Sequence, residues 1–285
     1  SPQVAHLLPY KYGLVCDHPL SASVGLSSGT MKPIFVVLLL VAAVSAVTSP
    51  QKDFSSRLTG GQSAIPYAHP FMIAVELVLT PAHRQQFCGG TLIQVHWVIS
   101  AASCFDELPI IGRVEVSSGL YQLDDRTYAQ DREVGSIVRH QDYRGGTAFT
   151  IDQYTQPIRL PQPNTVHTGY VTLFGWGDTS TTDEPNFPNN LQAVVTPILS
   201  YVDCYQHLQG RTPLEVSNMC TGPLLGGISH CTGDGGGPLT QQNEVGEYEL
   251  VGISSWGFRP CGAFGAPSVY TRVSAFSAWI VNVIT

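Results

Sequence analysis

Hydrophobic positions in this chain come in short bursts. The runs 71–78, 170–175, 191–198 and 248–255 are rich in valine, isoleucine, phenylalanine and tyrosine, and each is bounded by glycine, proline, asparagine or aspartate. Bursts of that length and spacing predict an all-β body of barrel type rather than a helical one. No internal repeat or coiled-coil period is visible. The last segment changes period: Val273, Phe276, Trp279, Ile280 and Val283 recur at helical spacing and predict a closing amphipathic α-helix. Near the start, Met31-Lys32 precedes an apolar run at 34–44 that ends in Val44-Ser45-Ala46, the pattern of a secretory signal peptide cut at Ala46. That run is too short to span a bilayer. Residues 1–30 precede the methionine and are expected to be a non-native leader, with Cys16 outside the fold; 31–46 are the signal peptide and 47–57 a propeptide.

Composition narrows the class. The chain has 285 residues, 43% hydrophobic and 12% charged, enough for one large domain and unlike a disordered segment. After Arg57 there are ten arginines and no lysine against nineteen acidic residues, a net charge of −9. Nucleic acid and anionic membrane surfaces are therefore excluded as expected partners. Six of the seven cysteines also follow Arg57, in a chain read as exported, where disulfides form. The sequence alone does not choose among their pairings. A zinc site lacks the short paired Cys/His spacing it would need.

Two motifs carry the chemistry. Cys231-Thr232-Gly233-Asp234-Gly235-Gly236-Gly237-Pro238 and Trp97-Val98-Ile99-Ser100-Ala101-Ala102-Ser103-Cys104 resemble, in register and in order, the nucleophile and histidine segments of the trypsin/chymotrypsin-like serine peptidases. The likeness runs from about Arg57 to Thr285. It implies two antiparallel six-stranded β-barrels, about 58–165 and 166–285, with a cleft between them and the helix at the end. It also implies the disulfides Cys88–Cys104, Cys204–Cys220 and Cys231–Cys261. Each closes a loop worth roughly 3–4 kcal/mol in the chain-entropy picture. No cofactor or metal is implied.

Both motifs are altered where the family reacts. The nucleophile position is Gly235, which has no side chain, and the general-base position is Ser103, whose hydroxyl has no useful basicity near neutral pH. His96, upstream of Trp97, reads as a surface histidine. The family's third member, an aspartate, lies on an apolar strand ahead of a segment like Gln156-Pro157-Ile158-Arg159-Leu160-Pro161. Here roughly 15 residues are missing before it, about one strand with its connections. Asp152 is too close to Gln156 to serve and reads as a solvated loop residue. Removal of that strand is expected to leave the first barrel open, or repaired by a change of register.

Much else is kept. Gly233 and Gly235 retain the backbone N–H groups that form the family's oxyanion hole. The positions lining its side-chain pocket are Ser229, Thr232, Ser255, Trp256, Gly257 and Ser268. Ser229 at the base carries no charge, so a neutral or aromatic side chain is expected to fit better than lysine or arginine. Ser55-Ser56-Arg57-Leu58-Thr59-Gly60-Gly61 resembles an activation site, where an activating trypsin-like protease would free the α-amino group of Leu58 to pair with Asp234. The sequence reads as a secreted, monomeric, inactive serine-protease homologue. Its expected ligands are peptides, protease inhibitors or proteases of a cascade. A working endopeptidase of chymotrypsin-like specificity and a product of a decayed gene are the alternatives.

Overall fold

The computed structural model describes residues 3–6, 60–106, 108, 111–135, 137–139, 149–180, 184–208 and 214–284. In chain order the strands are β1 (Gln3–His6), β2 (Gln62–Ser63), β3 (Met72–Thr80), β4 (His83–Gln94), β5 (Trp97–Ile99), β6 (Arg113–Ser118), β7 (Gln130–Glu133) and β8 (Ile137–Arg139). Then follow β9 (Tyr170–Gly175), β10 (Gln192–Pro197), helix α1 (Tyr201–Leu208), β11 (Asn218–Thr221), β12 (Pro238–Gln242), β13 (Tyr248–Trp256), β14 (Ser268–Arg272) and helix α2 (Ser277–Ile284). They form two sheets, ordered β7-β6-β3-β4-β5-β1-β8 and β11-β14-β13-β12-β9-β10-β2. Apart from the two pairings of β1, every paired strand is antiparallel.

Each sheet curls around its own interior, filled by the apolar bursts of the sequence. Ile73, Val75, Leu92, Val98 and Val116 fill the first half with Phe105 and Phe149. Val171, Leu173, Val194, Leu239, Val251 and Tyr270 fill the second. A third cluster joins the halves: Phe71, Met72 and Ile99 meet Phe174, Trp176 and Ile253, and Val273, Phe276 and Ile280 dock the chain end onto them. The terminal helix begins later than its period suggested. Val273–Ala275 form a separate 3₁₀ turn, and α2 starts at Ser277.

Residues Gln3–His6 lie between β5 and β8 and pair in parallel with both. Those pairings satisfy backbone groups on the facing edges of β5 and β8. Phe149, buried at 3% exposure with its N–H 2.7 Å from the Val95 carbonyl, covers the same end of the barrel. The first barrel also buries charge. Glu76, 2% exposed, accepts hydrogen bonds from the Ser117 hydroxyl at 2.5 Å and from Arg84 and Arg126 at 3.1 Å each. A carboxylate so deep needs such partners.

Candidate functional site

The site lies where the loop 231–238, which leads into β12 of the second sheet, meets β4 of the first. Three backbone bonds fix it: the Gly89 N–H donates to the Gly235 carbonyl, the Gly236 N–H to the Ser254 carbonyl, and the Gly237 N–H to the Asp234 carbonyl, each at 2.9 Å. Ser100 locks the other wall by donating to the Gly89 carbonyl at 2.7 Å. Ser103 follows in a 3₁₀ turn, Ala102–Phe105, with its side chain exposed. The Cys88–Cys104 disulfide ties that turn to β4. A β-carbon on Gly235 would lie 3.8 Å from the Cys88 sulfur and 3.9 Å from the Cys104 sulfur. The space around that disulfide is thus bordered by Gly235 and by the turn that carries Ser103.

That space has room at Gly235 and none at its neighbour. Gly236 has φ +80°, and a β-carbon there would fall 2.2 Å from Ser100 Oγ and 2.6 Å from the Gly89 carbonyl oxygen. Gly235→Ala is expected to keep or raise stability by about 0.4–1 kcal/mol through lost freedom of the unfolded chain. Gly236→Ala should cost about 2–4 kcal/mol from adverse backbone and overpacking together. Thermal melts of the two variants check the contrast.

Asp234 is fully buried. Its carboxylate accepts the Gly177 N–H at 2.8 Å and the Cys231 N–H at 2.9 Å. Gly175 and Gly177 make this approach possible, since a β-carbon on either would fall within 2.5 Å of the carboxylate. Burial pushes the Asp234 pKa up to about 7 against those two hydrogen bonds, with Asp178 adding to the rise. Among the described residues no cation pairs with it. Arg57 and Leu58 lie outside the described residues. Gly60 does not: a β-carbon there would sit 2.3 Å from the Gly227 carbonyl oxygen, so the chain enters beside the wall that carries Ser229.

Gly233, at φ +94°, and Gly235 present N–H groups with no protein acceptor among the described residues. The Gly233 carbonyl is held by the Gln86 side-chain amide at 2.9 Å. Beyond them, Ser268 Oγ donates to Ser229 Oγ at 3.1 Å, and Ser229 donates to the His230 carbonyl at 2.5 Å. Ser255 Oγ is buried without a partner, Trp256 packs edge-on to Phe258, and an Arg259 guanidinium nitrogen contacts Thr232 Oγ1. His230 stands among them although the sequence reading passed over it. Its place between Ser229 and Cys231 was the available signal.

The remaining expected residues lie apart. His96 is exposed in the turn between β4 and β5. Asp152 is exposed and committed to a turn, accepting the Tyr154 N–H at 2.8 Å and the Gln130 amide at 3.2 Å. All three disulfides implied by the resemblance are formed.

The family described as Trypsin matches residues 58–280. The chain belongs to the trypsin family. Lectizyme of Glossina austeni is 31% identical, aligned over 89% of this chain and 97% of its own length. Anionic trypsin of Bos taurus is 30% identical over 87% and 97% of the two chains, and Trypsin II-P29 of Gallus gallus 32% over 88% and 98%. Family membership and the two curled sheets with a closing helix agree on a trypsin fold.

Proposed function

We propose that this trypsin-family chain is a secreted, catalytically inactive homologue that acts by binding peptides or proteins, among them protease inhibitors or proteases of a cascade. The observation that carries the reading is Gly235: a loop held at both ends by backbone bonds presents no atom able to attack a carbonyl. Ser103, across the Cys88–Cys104 disulfide, offers no base, and Asp152 is occupied elsewhere. The unpaired N–H groups of Gly233 and Gly235 still suit a bound carbonyl oxygen, since such donors do not depend on side chains. Three formed disulfides fit an oxidising, extracellular setting. The signal peptide at 31–46 falls outside the described residues. The second reading, an endopeptidase, is favoured by the trypsin names of the relatives.

Turnover of fluorogenic peptides with Phe, Arg or Asp at the cleavage position separates the two. A site without triad chemistry keeps at most about 10³–10⁴ over the reaction in water, which for peptide hydrolysis is below detection. The purified protein, before and after cleavage at Arg57, should match the blank. Turnover abolished by an organophosphonate, in a preparation free of other proteases, would overturn the proposal.

A further inference from the structure

A cavity of about 190 Å³ opens between helix α1, strand β11 and the segment ahead of β9, and no residue of the 231–238 loop lines it. Its walls are apolar. Ile198, Leu199, Leu214 and Met219 line it together with the Cys204–Cys220 disulfide, and the exposed Val166 and Val216 stand at its rim. Two polar side chains of the lining are already engaged: the Tyr201 hydroxyl donates to the Leu214 carbonyl at 2.8 Å, and Asn218 Oδ1 accepts the Glu215 N–H at 2.9 Å. His167 differs. Its side chain is 7% exposed, Nε2 is held 2.9 Å from Glu249 Oε1, and the buried Nδ1 has no hydrogen-bond partner among the described residues. Arg272 also lines the cavity, donating to the Val216 carbonyl at 2.8 Å and pairing with no carboxylate among the described residues. A guanidinium carries five N–H donors, so capacity remains at the rim.

Small-ligand sites combine apolar walls with a few polar groups that fix orientation, and this lining has that make-up. An apolar cavity of about 150 Å³ takes a benzene ring, so the volume here suits one ring with a short polar arm. His167 and Arg272 set the chemistry of the arm. With Glu249 ionised, Nε2 carries the proton it donates, so Nδ1 is a lone pair in the neutral ring and an N–H in the charged one. A carboxylic acid meets it in either state, by donating its own O–H or by accepting from the imidazolium. An ammonium group would be repelled by Arg272, and an alcohol forgoes the stronger charge-assisted bonds that a carboxylate makes.

We propose that this cavity binds a small aryl-substituted carboxylic acid of about the size of phenylacetate, with His167 anchoring the carboxyl group and Arg272 as the cation at the mouth. The site is separate from the 231–238 loop, so its occupancy does not depend on whether the chain cleaves peptides.

Methionine methyl signals read the site without a substitution in it. The chain has three methionines, of which Met219 lines the cavity and Met72 is buried in the core between the two sheets. In the full chain carrying isotope-labelled methionine methyls, titration with phenylacetate should shift the Met219 resonance saturably and leave Met72 in place. Its Kd should be at least about 10-fold lower than that of phenethyl alcohol or phenethylamine, the size expected of one good charge-assisted contact. Arg272→Gln, at a partly exposed position, should weaken phenylacetate several-fold and leave phenethyl alcohol unchanged. His167→Phe should abolish the preference for the acid, with an unmoved Met72 resonance showing that each variant is folded. Absence of a saturable Met219 shift, binding of the alcohol or the amine as tight as that of the acid, or a preference that survives both variants overturns the proposal. Each of those results leaves the inactive reading untouched, since turnover tests that separately.

Discussion

The double variant Gly235→Ser with Ser103→His is expected to remain about 10⁴-fold below a complete triad in kcat. Space is not the obstacle, because a β-carbon at Gly235 meets only ordinary contacts with two sulfurs. The obstacle is orientation. An imidazole at position 103 needs a carboxylate to fix its tautomer and hold its charge, and removing that partner from a working triad costs about 10⁴. Asp152 accepts the Tyr154 N–H and the Gln130 amide, so it is already engaged in a turn. Kinetics of the double variant on peptide substrates check this. Activity within about 100-fold of a trypsin would show that a third carboxylate reaches position 103.

Cleavage after Arg57 is expected to order the loops at 229–238 and 257–267, with Asp234 as the receiver. A carboxylate whose folded pKa is raised to about 7 favours folding while protonated. That contribution is present below the ordinary carboxylate pKa and is lost as pH rises toward about 7, amounting to as much as about 4 kcal/mol. His69 and His230, which burial lowers to about 4, act in the opposite sense, costing stability as pH falls below about 6.5. Asp234→Asn isolates the first effect. In the uncleaved protein, the stability of wild type relative to Asp234→Asn should decline from about pH 4 to pH 7.

In the cleaved protein the new α-amino group would pair with the carboxylate and remove that decline. Removing one partner of such a buried pair costs about 3–5 kcal/mol, so wild type should melt higher after cleavage and Asp234→Asn should not. Amide exchange should slow across 229–238 and 257–267. Identical exchange and melting in folded cleaved and uncleaved protein would make the activation motif a relic.

Strand positions were the most legible part of the fold. The run 170–175 coincides with β9, and 191–198 and 248–255 match β10 and β13 within a residue or so, because short apolar bursts between turn residues mark strands directly. Helix α1 was missed although its signal was present: Ser200 Oγ accepts the Asp203 N–H at 3.0 Å, an N-cap readable from Ser200-x-x-Asp203. Glu76 was not legible, since a charge in a buried strand position is tolerated only through Arg84 and Arg126, which are far away in sequence. The pairing of Gln3–His6 was equally invisible, because a parallel contact between distant segments leaves no local pattern in either. At the site, Gly235, Ser103 and Asp234 could be placed from their motifs. His230 comes close to Gly257 only through the fold, and no local pattern marks that approach.

Intact mass after exposure to a reactive organophosphonate tests the inactive reading most directly. Such reagents bond to an activated serine hydroxyl, and the loop at Gly235 carries none. Protein purified with and without cleavage at Arg57 should keep its mass unchanged at reagent concentrations that fully label trypsin. A stoichiometric single adduct, lost on heat denaturation before labelling, would contradict the account.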